Sequence, residues 1–178
     1  MHDPAPPPPP DPADVFTTDD GRTFRLRPIQ ASDADALVRA FTRLTPEQIR
    51  LRVFHRLGAL SPRVAAWLCS PDPATANAFV VTDAQGEIRG DGRFYIDADR
   101  AGAEFGVIVD PAVIGIGIGR VLTQRLIEAA RARGLPELWG LVLAENVSML
   151  ELARQLGARV EAAPGEPGVL RVAFRLAA

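Results

Sequence analysis

The stretch that most constrains the fold lies between residues 107 and 120, where an apolar run meets three glycines at alternate positions. It reads Val-Ile-Val-Asp-Pro-Ala-Val-Ile-Gly-Ile-Gly-Ile-Gly-Arg, with Gly115, Gly117 and Gly119 as the glycines. This order predicts a strand that enters a tight turn and continues into a helix. Such a turn brings backbone N–H groups close to a ligand, and the helix start adds unpaired donors and a positive dipole end. We therefore expect an anion site, with a plain strand-to-helix connection packed through its glycines as the alternative.

Three familiar glycine motifs do not fit this turn. A Walker A loop needs Lys followed by Ser or Thr after the glycines, and neither pair is present. The dinucleotide fingerprint G-x-G-x-x-G has another spacing and lies near the first strand, whereas these glycines alternate and lie past the middle of the chain. A transmembrane small-xxx-small pair lacks the surrounding apolar span. What remains is a strand-turn-helix unit of another kind.

The hydrophobic pattern around the turn predicts an α/β fold with a mixed sheet. Short turns between three successive strands imply an antiparallel meander, and the helix after the glycines places the next strand parallel to the last of them. We expect a mostly antiparallel sheet with one parallel pair at the anion site. The predicted elements are a strand at 22–29, helices within 31–70 started by Ser32 with Asp35, by Thr45 with Gln48 and by Ser61, strands at 79–82, 87–96 (interrupted by Gly90 and Gly92) and 103–109, a helix from the turn to Gly134, a strand at 138–143, a helix capped by Asn146, and strands at 159–162 and 169–176.

Composition narrows the class of protein. The chain has 178 residues, one cysteine and a net charge of −2, so we expect one domain without disulfides and no nucleic acid as main partner. Residues 1–14 contain the run Pro6–Pro10 and are expected to form a disordered tail before a domain at 15–178. The tail lacks the pattern of a signal peptide, and no apolar stretch is long enough to span a membrane. We therefore expect a cytoplasmic protein.

Arginine supplies all twenty basic residues, and no lysine is present, so lysine modification cannot act on the chain itself. Cys69 lies on an apolar helix and is expected to be buried, since neither His2 nor His55 is placed to activate it. No spacing of histidine, cysteine and acidic residues predicts a metal site. Five arginines of the helical segment favour either a solvated face or contact with an acidic acceptor or a cofactor: Arg43, Arg50, Arg52, Arg56 and Arg63.

At the glycine turn the sequence resembles the GNAT family of acetyl-CoA-dependent N-acetyltransferases, over about residues 22–176. The family signature is Gln or Arg, two residues, Gly, one residue, then Gly or Ala, and it maps onto 114–119. The segments 109–111 and 120–122 that flank it also look like the family. Downstream, 143–150 and 153–158 do too. Within the family, the combination of segments 25–29, 51–54, 103–106 and the Asn146 stretch is most similar to bacterial protein-lysine acetyltransferases.

The resemblance implies an enzyme that transfers acetyl directly from acetyl-CoA to an amine, with a protein lysine as the favoured acceptor and a small amine as the second. Residue spacing, net charge and the lack of a long apolar stretch add the expectation of no metal, no nucleic acid partner and no membrane partner. The pantetheine amides would pair with the strand before the turn, and the pyrophosphate would lie on the turn. The candidate cofactor-binding residues are Val107, Val109, Ile114, Gly115, Ile116, Gly117, Ile118, Gly119, Arg120 and Asn146.

Glu104 is the candidate catalytic residue, because it stands where the resembling enzymes carry a catalytic glutamate. An amine near neutral pH is mostly protonated, so a base must remove a proton before the amine attacks the thioester. In an apolar setting a carboxylate becomes a better base, while an exposed strand carboxylate is the alternative reading. Many family members carry a tyrosine acid seven residues past the position of Asn146, where this chain has Ala153. Asn146 is read either as a cofactor contact or as a plain helix cap.

Ile114 and Ile116 depart from the family pattern, since they replace polar or basic residues of the signature. The backbone donors of the turn remain, so we expect coenzyme A binding to survive with reduced affinity, helped by Arg120. These departures and Ala153 also favour an alternative, a non-catalytic acyl-CoA-binding or interaction module.

Overall fold

The computed structural model describes residues 14–53 and 59–176. In chain order its elements are β1 (Val15–Thr17), β2 (Thr23–Pro28), α1 (Ala34–Thr42), α2 (Pro46–Val53), α3 (Pro62–Leu68), β3 (Ala76–Thr82), β4 (Ile88–Ile96), β5 (Ala103–Val109), α4 (Ile118–Ala132), β6 (Glu137–Leu143), α5 (Val147–Gln155), β7 (Arg159–Ala162) and β8 (Val169–Arg175). In the described part of the chain the strands form one sheet in the order β1-β2-β3-β4-β5-β6-β8-β7.

The parallel pair at the centre of the sheet confirms the predicted topology. All neighbouring strands are antiparallel except β5 and β6, which run parallel. Their register holds only two pairs, Ala103 with Leu138 and Glu104 with Trp139. Because no further pairs follow, the two strands diverge after Glu104. The sheet is therefore split between the last residues of β5 and β6, on the side where the glycine turn begins.

The helices cover both faces of the sheet. The main core lies under α4, where Leu122 and Leu126 are completely buried, and a smaller core lies under α1 and α3. Gly90 and Gly92 do not interrupt β4, which runs unbroken from Ile88 to Ile96. A Cβ at Gly90 would lie 2.8 Å from the Leu122 Cδ1 atom, so these glycines bring the strand close to α4.

The helix-start signals are confirmed at two of three positions. The Thr45 Oγ1 atom accepts from the Gln48 N–H at 3.1 Å and the Gln48 Oε1 atom accepts from the Thr45 N–H at 3.0 Å, which is a complete capping box. The Ser61 Oγ atom accepts from the Val64 N–H at 3.3 Å. The predicted box at Ser32 is wrong, because Asp33 accepts from the Gln30 N–H at 2.7 Å and opens a short 3-10 turn before α1.

The amino-terminal part of the fold differs from the prediction by one strand. Residues Val15–Thr17 form β1, an edge strand that pairs with β2 and that the sequence pattern did not reveal. The predicted tail, apart from Asp14, lies outside the described residues, as do Phe54 and His55. Across the ranges that the structure describes, no helix combines the length and the apolarity needed to cross a bilayer.

Candidate active site

Two clefts meet at the split in the sheet. The first encloses about 420 Å³ between the end of β5, the glycine turn and α5. The second encloses about 310 Å³ along the diverging strands and is lined by Glu104. Four residues line both: Leu51, Val107, Asn146 and Met149. The clefts are therefore continuous, and a long ligand can reach from the turn to Glu104.

The glycine turn adopts a conformation that requires glycine. Gly115 has φ +83° and Gly117 has φ +101°, a left-handed region that other L-residues adopt at a cost. A Cβ at either position would meet no atom within 4 Å. Close packing is thus not the reason for these two glycines. The reason is the backbone conformation, which directs the chain into the first residue of α4.

The predicted cofactor-binding residues divide into two groups. Ile116 and Ile118 turn inward: Ile118 is 1% exposed and Ile116 packs against the main core. The apolar side chain at 116 is therefore explained by packing. Ile114, in contrast, is 57% exposed at the cleft. The other residues of the prediction all line the first cleft: Val107, Val109, Gly115, Gly117, Gly119, Arg120 and Asn146.

Asp110 anchors the beginning of the turn. Its carboxylate is 5% exposed and accepts from the Ala112 N–H at 2.9 Å, from Arg43 Nε at 2.7 Å and from Arg89 Nη1 at 2.9 Å. Burial alone would raise the pKa of Asp110, but these hydrogen bonds outweigh it and hold the pKa below its ordinary value. Arg43 directly follows the last residue of α1, and Arg89 lies in β4. The ionised carboxylate therefore joins three elements at the point where the chain leaves β5.

Helix α2 lies across the split and is fastened on both sides. Gln48 Nε2 donates to the Val109 carbonyl at 3.0 Å, and Arg50 Nη1 lies 2.9 Å from the Glu145 Oε1 atom in the loop before α5. Leu51, directly after Arg50 in the same helix, lines both clefts. The sequence identified Gln48 only as a cap, and it interpreted Arg50 either as a solvated charge or as a contact for an acidic acceptor or a cofactor. Their long-range contacts carry no local sequence signal.

Residues at the start and along one side of α5 form another wall of the first cleft. The Asn146 Oδ1 atom accepts from the Met149 N–H at 3.3 Å, so the cap reading of Asn146 is confirmed, and the residue also lines the cleft. Arg120 Nη2 donates to the Gln155 Oε1 atom, which holds the guanidinium at the cleft wall. Sequence reasoning did not identify four residues of α5 as part of the site: Ser148, Met149, Leu152 and Gln155. All four line the cleft.

Glu104 stands between two aromatic residues on one face of the sheet. Its register partners are Tyr95 on β4 and Trp139 on β6, and paired residues project to the same face. The neighbouring Phe105 is buried on the other face, as the predicted alternation requires. The Glu104 side chain is exposed, which agrees with the second of the two interpretations of the sequence and not with an apolar setting.

Two arginines of the helical segment, Arg43 and Arg50, are committed to internal ion pairs, whereas Arg63 is exposed near the start of α3. Arg43 binds Asp110 and Glu87, and Arg50 binds Glu47 and Glu145. These contacts replace the expected solvated face at both positions. Among residues 14–53 and 59–176, no group of three or more histidine, cysteine, aspartate or glutamate side chains is placed to hold a metal ion.

Cys69 is 2% exposed at the end of α3, as predicted. Burial raises the pKa of its thiol to about 11. We expect no reaction with Ellman's reagent at pH 8 in the native protein and one equivalent after unfolding in guanidinium, since only the thiolate reacts. Absorbance at 412 nm measures both. Rapid reaction of the native protein would contradict this burial.

A split mixed sheet with a glycine turn and a helix start at the split defines a protein that binds an anionic, extended ligand. The family model "Acetyltransferase (GNAT) domain" matches residues 23–159. The acetyltransferase PA5475 of Pseudomonas aeruginosa is 28% identical over 146 residues, which cover 80% of this chain and 78% of that protein. The chain belongs to the GNAT family of acetyltransferases.

Solved structures agree with this assignment. The GNAT domain of S. lividans PAT superposes with a TM-score of 0.83 and 26% identity, over 91% of this chain and 96% of that one. The yncA protein of Salmonella typhimurium, solved with acetyl-CoA, superposes with a TM-score of 0.70 and 20% identity, over 87% of this chain and 95% of that one. Spermidine N-acetyltransferase of Vibrio cholerae, solved with CoA and spermine, gives 0.70 and 22% identity over 86% and 95%. The fold is that of GNAT acetyltransferases, whose acyl donor is acetyl-CoA.

Proposed function

We propose that the protein transfers acetyl from acetyl-CoA directly to a primary amine, with a protein lysine as the favoured acceptor. The observation that carries the proposal is the continuity of the two clefts: one holds the glycine turn, and the other holds Glu104. A thioester that runs along the first cleft would end beside this carboxylate. Donor and acceptor would then meet in one site without a covalent enzyme intermediate.

The donor would be held mainly by backbone groups. The first turn of α4 has N–H groups without intrahelical partners and carries no acidic side chain, so it suits a pyrophosphate. Arg120 adds a positive charge at the same wall. Beyond Glu104 β5 has no register partner in β6, so its edge near Val107 is open to the pantetheine amides. At the far end of that edge, the Val109 carbonyl already accepts a hydrogen bond from Gln48 Nε2 and is not free for the ligand.

Glu104 is the general base of this proposal. It takes one proton from the acceptor ammonium, and the neutral amine nitrogen then forms a bond to the acetyl carbon. As the carbon–sulfur bond breaks and the thiolate of coenzyme A leaves, the nitrogen gives up its second proton to solvent, which leaves the neutral amide. Ala153, at the position of the acid in many relatives, is completely buried and supplies no proton. The thiolate is a fair leaving group near its own pKa and takes its proton from water.

The acceptor side of the site is open to solvent, which supports a macromolecular acceptor. Glu104 is exposed, and the aromatic residues beside it are partly exposed as well. A small amine remains the second acceptor, since the Vibrio cholerae neighbour is a spermidine N-acetyltransferase. The second candidate function, a non-catalytic acyl-CoA-binding module, is favoured by the exposed apolar Ile114 and by Ala153.

Calorimetry and a thiol-release assay test the proposal together. We expect acetyl-CoA to bind and free thiol to appear at once when protein or peptide lysines are added, more slowly with small amines. Binding without release for any acceptor would establish the non-catalytic module. Absence of acetyl-CoA binding would overturn both functions. The burial of Cys69, the single cysteine, keeps the background of the thiol assay low.

The glycine turn gives a direct test of the donor site. Gly115→Ala and Gly86→Ala introduce the same strain, because the residues have φ +83° and +80° and neither Cβ would meet an atom within 4 Å. We expect each variant to lose about 1 kcal/mol of unfolding free energy. Only Gly115→Ala is expected to weaken acetyl-CoA binding, by about tenfold or 1.4 kcal/mol. Equal affinities of the two variants in calorimetry would contradict a phosphate site at the turn.

A further inference from the structure

An exposed apolar patch lies next to Glu104 and is not used by the proposed chemistry. Among the described residues, six large hydrophobic side chains are exposed, and three of them form this patch: Val64 at 45%, Trp67 at 64% and Tyr95 at 38%. Val64 and Trp67 are three residues apart on α3 and share a helix face. Clustered exposure of this kind marks an interaction surface more often than scattered exposure does. We call these three residues the aromatic patch.

The aromatic patch is held in place by the structure beneath it. The rings of Trp67 and Tyr95 stack with centroids 6.5 Å apart and planes 7° from parallel. Below them, the buried Arg93 binds Asp91 through Nε at 2.9 Å and donates from Nη1 to the Leu68 carbonyl at 3.1 Å. This bond fixes the end of α3 directly after Trp67. The patch is therefore preorganised, and a ligand would not have to order it.

Trp139, on the other side of Glu104, already contacts two side chains of the protein. Its Nε1 atom donates to the Asp97 Oδ2 atom at 2.9 Å, and the Arg171 guanidinium lies over its ring at 5.1 Å from the centroid. One face of this partly exposed ring is thus covered from within the protein. Of the two aromatic neighbours of Glu104, Tyr95 is the one that leads to an uncovered surface.

We propose that the aromatic patch binds an apolar residue next to the acceptor lysine in a peptide segment. The inference rests on the proposed function, since it needs the acceptor amine at Glu104. Tyr95 is the direct cross-strand partner of Glu104, at a Cβ separation of about 5 Å for such pairs. An amine at the carboxylate would therefore lay its methylene chain along the Tyr95 ring.

The extent of the patch separates a peptide from a small amine. A lysine side chain reaches Tyr95 with its methylene groups and places its own backbone at the edge of the cleft. A neighbouring leucine or phenylalanine would then cover Trp67 and Val64 and remove apolar surface from water, which favours binding. A small alkylamine ends before Trp67 and leaves both residues exposed. The patch should thus select for sequence beside the lysine and not for the amine itself.

The test uses two peptides that differ only beside the lysine, Ala-Leu-Lys-Leu-Ala and Ala-Gly-Lys-Gly-Ala, with butylamine as the small acceptor. We expect Trp67→Ala to raise the KM of the leucine peptide about tenfold, with kcat and the KM values of the glycine peptide and butylamine unchanged. Trp67→Phe should restore most of the preference. Val64→Ala should raise the same KM about threefold, whereas Val15→Ala, at a 42% exposed valine on the far edge of the sheet, should not.

A binding measurement separates this inference from the catalytic one. Calorimetry of the leucine peptide with the Glu104→Gln variant, saturated with coenzyme A, gives a dissociation constant that needs no turnover. Tighter binding of the leucine than the glycine peptide, lost in Trp67→Ala, supports the patch even when no acceptor is acetylated. Equal binding of both peptides, no binding of either, or equal effects of Trp67→Ala on the leucine peptide and butylamine would overturn it.

Discussion

Glu104→Gln is expected to lower kcat for acetyl transfer by about 10²–10⁴-fold, the usual contribution of a positioned general base. The amide keeps the size of the side chain but cannot take a proton from the acceptor ammonium. Since Glu104 is exposed and lies in the acceptor cleft, we expect the melting temperature and the acetyl-CoA dissociation constant to stay unchanged. Stopped-time thiol release at saturating acetyl-CoA measures the rate.

The pH profile distinguishes loss of a base from loss of acceptor binding. Without the carboxylate, only acceptor that is already deprotonated can react, so the rate of the variant should rise with pH toward the pKa of the amine. Glu161→Gln is the matched control, because Glu161 is also an exposed strand glutamate but lies on β7 at the edge of the sheet. A full rate in Glu104→Gln would show that another group, or solvent, takes the proton.

Asp110→Asn is expected to destabilise the fold by about 2 kcal/mol, because it removes the charge from hydrogen bonds to two arginines. The side chain is buried, and the amide cannot accept from both Arg43 and Arg89 while its NH₂ group faces one of them. Arg43 keeps Glu87 and Arg89 keeps Asp83, which limits the loss. We also expect weaker acetyl-CoA binding, since Asp110 fixes the start of the glycine turn. Urea unfolding and calorimetry measure the two effects.

The pH dependence follows from the lowered pKa of Asp110 in the folded state. Its stabilisation is fully present above the unfolded pKa of about 3.9 and is lost as pH falls through the folded value. The difference in unfolding free energy between wild type and Asp110→Asn should therefore be constant near neutral pH and become smaller in acid. Asp99→Asn is the control, because exposed Asp99 makes the same bond to an N–H two residues ahead. If Asp99→Asn lost as much unfolding free energy, the effect would come from the hydrogen bond to the N–H two residues ahead and not from the bonds to the arginines.

Local pattern predicted the elements that depend on neighbouring residues. The strand at 103–109 has the predicted bounds. The helix starts at Thr45, Ser61 and Asn146 were predicted because a capping side chain bonds an N–H within three residues. The prediction failed at Ser32 and missed β1. A cap can shift by two residues when a nearby aspartate competes for it, and a three-residue edge strand has too few positions to show alternation.

The active site divides in the same way. The sequence by itself determined the glycine turn, because positive φ is a property of single residues, and it placed Glu104 on β5 while leaving its exposure open. Tertiary structure alone decided which distant groups meet there. Arg43 reaches Asp110 across 67 residues and Gln48 reaches Val109 across 61. Strand register set Tyr95 and Trp139 beside Glu104, and register depends on how whole strands pair, which no local window contains.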